Sequence, residues 1–311
     1  MPLDIAAQNL IDVLNKQGLK SFEQMSVAEA RGAVDSFVGL QATPQEVARV
    51  VDTEYPGPGG NLKIRIYIPE TPATALPVVL YFHGGGFVAG GLSVVNEPLR
   101  ALANDAAAIV IAATYRLAPE HKFPAATDDS FAALNWVAEN IHRYGGDATR
   151  IVVMGDSAGG NLATVAAIRA RDEGGPSLCA QVLIYPVIDP TAKLPSRAEF
   201  KEGYLITAAG LDWFWQQYLA SPGDAENPLA SPSKAVSLAG LPPTLILSTE
   251  YEVARDEGEA YGKQLADAGV ATKVIRFDGL IHGVFWMSGV IPRSRELHKA
   301  IVAFLNKQFA N

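Results

Sequence analysis

The chain has 311 residues, of which 49% are hydrophobic and 19% charged, with a formal charge of −8. This composition suits a folded body with a sizeable core and excludes a disordered chain, which would have too little apolar surface to bury. The acidic balance without clustered Lys and Arg excludes a nucleic-acid surface, no apolar run approaches the roughly 18 residues of a membrane span, and a single cysteine, Cys179, excludes an internal disulfide.

The first residues show no basic stretch followed by an apolar run and a cleavage site, so the expected location is cytoplasmic. From Asp4 to Leu40 apolar residues recur at helical spacing, with Gly and Ser breaks, predicting two or three amphipathic helices. After Pro44 the pattern turns to short β-branched runs at Ala48 to Tyr55, Leu62 to Ile68, Val78 to Phe82 and Ala108 to Thr114. A helical pattern at Ala125 to Ile141 precedes a strand at Ile151 to Met154, and another at Gly160 to Arg171 precedes one at Gln181 to Tyr185, with Cys179 read as a small buried hydrophobe beside it. Two more strands, Thr244 to Ser248 and Thr272 to Phe277, flank a helix at Ala254 to Ala268, and an amphipathic helix closes the chain around Arg295 to Phe309.

Strands alternating with helices predict an α/β fold: a mostly parallel sheet covered on both faces, with its ligand site beyond the carboxyl ends of the strands. The segment Asp189 to Asn227 breaks the alternation and carries Trp213-Phe214-Trp215 and Tyr218. The expected division is therefore N-terminal cap helices at 1–45, a body at 46–188 and 228–311, and a cap insertion at 189–227.

Two glycine-rich stretches carry chemistry. The strand ending at Met154 runs into Gly155-Asp156-Ser157-Ala158-Gly159-Gly160 and then a helix, the strand-turn-helix setting of a nucleophile elbow. A sharp turn would present Ser157 at a helix N-terminus, with Gly155 and Gly159 removing side chains that would collide. The strand ending at Phe82 runs into His83-Gly84-Gly85-Gly86-Phe87, a loop type that lends N–H groups to an oxyanion hole. Gly84 and Gly85 are the expected donors, joined by the backbone N–H of Ala158. His83 is expected to orient that loop, and Asp156 to point away from Ser157 onto a nearby Arg or Tyr.

An elbow of this kind orders its partners along the chain as Ser, acid, His. Of the two histidines after Ser157, His282 lies in a short loop and His298 on the amphipathic C-terminal helix, expected to face solvent, so His282 is the candidate base. The acid belongs after the strand Thr244 to Ser248, where Glu250, Glu252, Asp256 and Glu257 compete. Glu250 comes early, and Glu257 and Glu259 fall inside the next helix, which leaves Glu252 and Asp256.

Taken in order, His83-Gly84-Gly85-Gly86, Tyr115-Arg116-Leu117-Ala118-Pro119-Glu120, Gly155-Asp156-Ser157-Ala158-Gly159-Gly160 and Ile281-His282-Gly283 resemble the hormone-sensitive-lipase-like (bacterial family IV) carboxylesterases, from about Val50 onward. The resemblance implies an α/β-hydrolase fold with an eight-stranded, mostly parallel sheet and a helical cap, and neither metal nor organic cofactor. It also implies hydrolysis of small carboxylic esters with short or medium acyl chains through an acyl-enzyme on Ser157, by a monomer or homodimer. Amide or lactone hydrolysis by the same residues, and ligand binding without turnover, are the alternatives; receptors among the relatives have lost the histidine that this chain keeps as His282.

The family's motif has an Asp-Pro pair where this chain has Glu252-Val253, and a second Asp where it has Asp256. Its first position carries the acid, which assigns Glu252, with Asp256 as the alternative bracing the loop. Arg116 and Glu120 are expected to form a buried pair. Phe37, Trp213, Phe214 and Trp215 are the candidate walls of an acyl pocket.

Overall fold

The computed structural model describes residues 1–310. In chain order its main elements are helices α1 (Ile5–Lys16) and α2 (Val27–Ser36), strands β1 (Arg49–Gly57), β2 (Gly60–Ile68) and β3 (Leu76–Phe82), helix α3 (Asn96–Asp105), strand β4 (Ile109–Ala113), helix α4 (Ala125–Asn140), strand β5 (Gly146–Asp156), helix α5 (Ala158–Asp172), strand β6 (Ala180–Ile184), helices α6 (Pro195–Glu199) and α7 (Ala208–Tyr218), strand β7 (Thr244–Tyr251), helix α8 (Arg255–Asp267), strand β8 (Thr272–Ile281) and helix α9 (Ser294–Phe309).

The eight strands form one sheet in the order β1-β2-β4-β3-β5-β6-β7-β8, antiparallel where β2 meets β1 and β4 and parallel elsewhere. Sequence and position agree. The central strands β3, β4 and β6 are continuously apolar apart from Gln181 and buried along their whole length, as strands covered on both faces must be. Near the antiparallel edge β2 alternates instead: Ile64 and Ile66 are buried, while Arg65 points out to grip Asp52 at 2.6 Å.

Helix α3 was not foreseen. Its Pro98 lies in the first turn, where the missing N–H costs nothing. Strand β7 also runs on to Tyr251, so Glu252 leaves directly from its end.

The order reverses around β3, whose neighbours β4 and β5 lead away on opposite sides. A crevice opens at the carboxyl ends where such a reversal occurs. Phe82 pairs with Gly155 across β3 and β5, so the glycine loop and the serine turn start side by side.

Over this crevice lie residues from both ends of the interrupted pattern. Phe22, between α1 and α2, packs on Phe214 of α7 at 4.9 Å between ring centroids, and Thr207 Oγ1 donates to Glu23 at 3.0 Å. The expected pair between Arg116 and Glu120 is not formed. Arg116 holds the fully buried Asp129 through Nε and Nη2 at 2.8 Å, while the exposed Glu120 pairs with Arg31 of α2. The chain turns at Ala118 to Glu120, closed by the His121 N–H on the Leu117 carbonyl at 3.0 Å, and Glu120 meets Arg31; Asp129, in the first turns of α4, faces the Arg116 guanidinium. Among the described residues no helix is long and apolar enough to cross a membrane.

Candidate active site

Ser157 sits between β5 and α5 with φ 53° and ψ −118°, a backbone conformation a non-glycine residue adopts only under constraint. The constraint is visible. Its N–H donates to the Ile184 carbonyl at 2.8 Å, fixing the turn to the end of β6. A β-carbon on Gly155 would lie 2.2 Å from the Gly159 carbonyl oxygen, and one on Gly159 would lie 2.0 Å from that of Phe82. Only glycines fit on either side of the serine.

Ser157 Oγ lies 2.9 Å from His282 Nε2, and His282 Nδ1 lies 2.7 Å from Glu252 Oε2. The other carboxylate oxygen of Glu252 accepts the Thr249 N–H at 3.2 Å. All three side chains are at least nine-tenths buried. The carboxylates that competed with Glu252 have other partners: Glu250 accepts the Gly279 N–H at 2.7 Å, and Asp256 accepts the Ser196 N–H at 2.8 Å and Arg255 Nε at 2.8 Å.

One expected oxyanion donor is spoken for. The Gly84 N–H donates to Asp156 Oδ1 at 2.8 Å, and the same oxygen takes the Tyr81 hydroxyl at 2.5 Å. Asp156 does point away from Ser157, and its partner, besides a Tyr, is the very N–H assigned to the hole. Gly85 and Gly86 line the crevice beside Ser157 and His282, and Gly84 does not. Burial pushes Asp156 up to about 6, against the pull of Tyr81 and Gly84. His83 stacks on Tyr115 at 4.4 Å and donates from Nδ1 to the Gly84 carbonyl at 2.7 Å; burial lowers its pKa to about 4, leaving a neutral brace for the loop.

Residues 79–286, about two thirds of the chain, match the family model described as the alpha/beta hydrolase fold. The chain belongs to the α/β-hydrolase family. Within it, the hydrolase sits among the hormone-sensitive-lipase-like carboxylesterases. It is 46% identical to the esterase LipI of Mycobacterium tuberculosis over 80% of this chain and 78% of that protein. The hyperthermophilic esterase of Pyrobaculum calidifontis superposes with a TM-score of 0.94 at 39% identity, covering 100% of both chains. The gibberellin receptor of Oryza sativa is 30% identical over 93% of this chain and 82% of its own.

The crevice of this hydrolase holds about 670 Å³, its mouth included. Phe37, Phe214 and Trp215 line it as expected, but Trp213 does not: it lies against the edge of Phe214 instead, with ring centroids 5.0 Å apart. Phe22, Val34, Leu205, Ile206, Leu211 and Trp286 complete walls that the sequence did not reveal. His298 was expected to face solvent and instead pairs with Asp105 at 2.7 Å.

Glu257 is a buried acid outside the site. It accepts the Ile188 N–H at 3.0 Å and so ties α8 to the chain leaving β6; burial raises its pKa to about 8. An acid whose folded pKa lies above its ordinary 4.5 makes the folded state lose stability as pH rises between those values. Glu257→Gln keeps an acceptor for Ile188 and cannot ionise. Its Tm should match wild type at pH 5 and exceed it by roughly 5 °C at pH 8.5, read by calorimetry. A constant difference across that range would show that Glu257 is not the titrating group. The smaller slope from Asp156, between about 4 and 6, should remain in the variant.

Proposed function

We propose that the protein is a serine carboxylesterase acting on small, uncharged esters with short or medium acyl chains. The observation that carries this reading is the continuous relay from Glu252 through His282 to Ser157, at 2.7 and 2.9 Å, beneath the glycine loop. On this reading His282 Nε2 removes the Ser157 hydroxyl proton as Oγ attacks the ester carbonyl, and Glu252 holds the proton on Nδ1 and stabilises the imidazolium. The N–H groups of Gly85, Gly86 and Ala158 receive the oxyanion, Ala158 because the first residue of a helix has no preceding carbonyl in its own ladder. His282 then protonates the leaving alcohol, and water releases the acyl group by the same route.

Residues 1–45 and 189–227 serve as the cap in this scheme, over a body of 46–188 and 228–311. The protein is expected to act in the cytoplasm as a monomer or homodimer. Incubation with a p-nitrophenyl alkylphosphonate should release one nitrophenol per chain and add the phosphonyl mass to the Ser157 peptide, with p-nitrophenyl butyrate turned over in parallel. An unlabelled Ser157 in a folded protein that still binds apolar ligands would favour a non-catalytic binding protein. Labelling with turnover of anilides or lactones but not esters would favour the alternative hydrolases.

Apart from Asp156, Ser157 and His282, every residue lining the crevice is apolar or glycine. A carboxylate at the far end of the acyl group would find no partner there, at a cost of at least about 2 kcal/mol. The p-nitrophenyl hemisuccinate should therefore show a kcat/KM at least roughly 30-fold below that of the butyrate. Equal values would mean that the acyl chain lies outside this crevice.

A further inference from the structure

The oxyanion loop is closed on itself by the Val88 and Ala89 N–H groups, which donate to the Gly85 carbonyl at 3.1 and 2.9 Å, yet its backbone is strained. Gly85, Gly86 and Phe87 have φ of +108°, +62° and +63° in succession, and Phe87 has a side chain that disfavours this region. Such a residue stays there only where its surroundings over-determine it.

Those surroundings come largely from helix α7. The Phe87 ring lies flat on Tyr218, with centroids 3.7 Å apart and planes at 7°, and tilts against Trp215 at 5.4 Å. Phe214 packs so closely that a β-carbon on Gly86 would be 2.1 Å from its Cδ1. Phe214, Trp215 and Tyr218 fall at i, i+3 to i+4 spacing on one face of α7, so one helix face covers both Gly86 and Phe87. The chain from Tyr115 to Phe123 ties the two parts together. Ala118 N–H donates to the Phe87 carbonyl at 2.9 Å, Phe123 N–H to the Tyr218 carbonyl at 2.8 Å, and Lys122 Nζ to the Gln216 and Leu219 carbonyls at 3.0 and 2.9 Å. Arg31 of α2 closes the far side, donating to the Val88 carbonyl at 2.8 Å and to that of Ala118 at 3.0 Å.

Building on the esterase reading, we propose that the cap assembles the oxyanion hole: α7 holds Gly86 and Phe87 in their left-handed conformation, and Tyr218 is a positioning residue that acts through Phe87. Phe214 and Trp215 also wall the crevice, so the helix that meets the acyl chain is the one that sets the N–H groups. Tyr218 does not line the crevice and is fully buried, with its hydroxyl unpartnered; its ring face is what the loop uses.

The test compares Tyr218→Phe and Tyr218→Leu with wild type on p-nitrophenyl butyrate and against an alkyl trifluoromethyl ketone. In that inhibitor the Ser157 Oγ–C bond forms, the serine proton passes to His282, and the carbonyl π pair becomes an oxyanion in the hole. Tyr218→Phe keeps the stack and should retain wild-type kcat and Ki. Tyr218→Leu should lose about tenfold to thirtyfold in kcat, weaken the ketone by the same factor, and leave KM within twofold. Arg31→Met, at a half-exposed position, should fold even where Tyr218→Leu does not, and should show the same paired loss at about fivefold.

Wild-type kcat and Ki in the Leu and Met variants would overturn the proposal, as would equal losses in Tyr218→Phe and Tyr218→Leu, or a loss confined to KM. A wild-type protein that neither turns over ester nor takes phosphonate on Ser157 would overturn the esterase reading and this inference with it. An active, labelled wild type with unaffected variants would overturn the inference alone.

Discussion

Glu252→Gln should lower kcat for p-nitrophenyl butyrate by about 10⁴-fold, with KM and the folded structure unchanged. The size follows from the proton, not from lost packing. Glu252 is almost completely buried and its two oxygens have different partners, the Thr249 N–H and His282 Nδ1. A glutamine cannot reproduce both with its oxygen. Turning its amide nitrogen toward Thr249 would set two donors face to face, so the oxygen must take the Thr249 N–H and the nitrogen must face His282. That orientation donates to Nδ1 and forces the imidazole proton onto Nε2, the atom that has to accept the proton of Ser157. The base is then in the wrong tautomer while every heavy atom keeps its place. Steady-state kinetics with circular dichroism on the same samples reads both halves of the expectation. A variant with more than about a tenth of wild-type kcat would remove Glu252 from the acid role. Asp256→Asn is the matched control: its carboxylate is engaged by Ser196 and Arg255, and kcat should stay near wild type.

What could be read from the residues alone divides along a physical line. The elbow was legible because its requirements are local: a serine in a sharp turn needs glycines two positions away on each side, and that spacing survives in one dimension. The sheet was legible because buried central strands and half-buried edge strands differ in period. The oxyanion donors were not, because which N–H is free depends on a partner in another strand. In the parallel register Phe82 faces Gly155, so Asp156 at the end of β5 arrives beside Gly84 and takes its N–H. Only the pairing of β3 with β5 contains that information.

The aromatic run on α7 failed for the opposite reason, since the signal was local and was read too generously. Successive helical residues point about 100° apart, so Trp213, Phe214 and Trp215 cannot all face one cavity. Leu211, Phe214, Trp215 and Tyr218 form the buried stripe at helical spacing, and Trp213 lies off it. The choice between Glu252 and Asp256 needed tertiary structure as well, or the family's motif. Both residues are close to the end of β7, and what separates them is which one leaves the strand before α8 turns away.

Gly159→Ala should cost about 3 kcal/mol of stability and at least about 100-fold in kcat. The added β-carbon would lie 2.0 Å from the Phe82 carbonyl oxygen and 2.6 Å from that of His83. Neither atom belongs to a flexible side chain. Phe82 ends a central strand whose register with β5 continues through Gly155, so moving its carbonyl strains two strands at once. The alternative is for α5 to withdraw, and its first residues are Ala158 and Gly159 themselves, so Ser157 Oγ would leave its 2.9 Å contact with His282 and the Ala158 N–H would leave the hole with it. Gly160→Ala provides the comparison one residue on. There the new β-carbon meets the Pro186 Cβ at 2.9 Å, the Pro186 Cα at 3.2 Å and the Gly155 carbonyl oxygen at 3.3 Å, each farther off than the two carbonyl oxygens at Gly159. It should fold with a smaller loss and keep kcat within about tenfold. Chemical denaturation and kinetics on the pair test this directly. Equal effects at the two positions would mean that the elbow tolerates a methyl against β3, and that the geometry of Ser157 does not depend on the close approach of Gly159 to that strand.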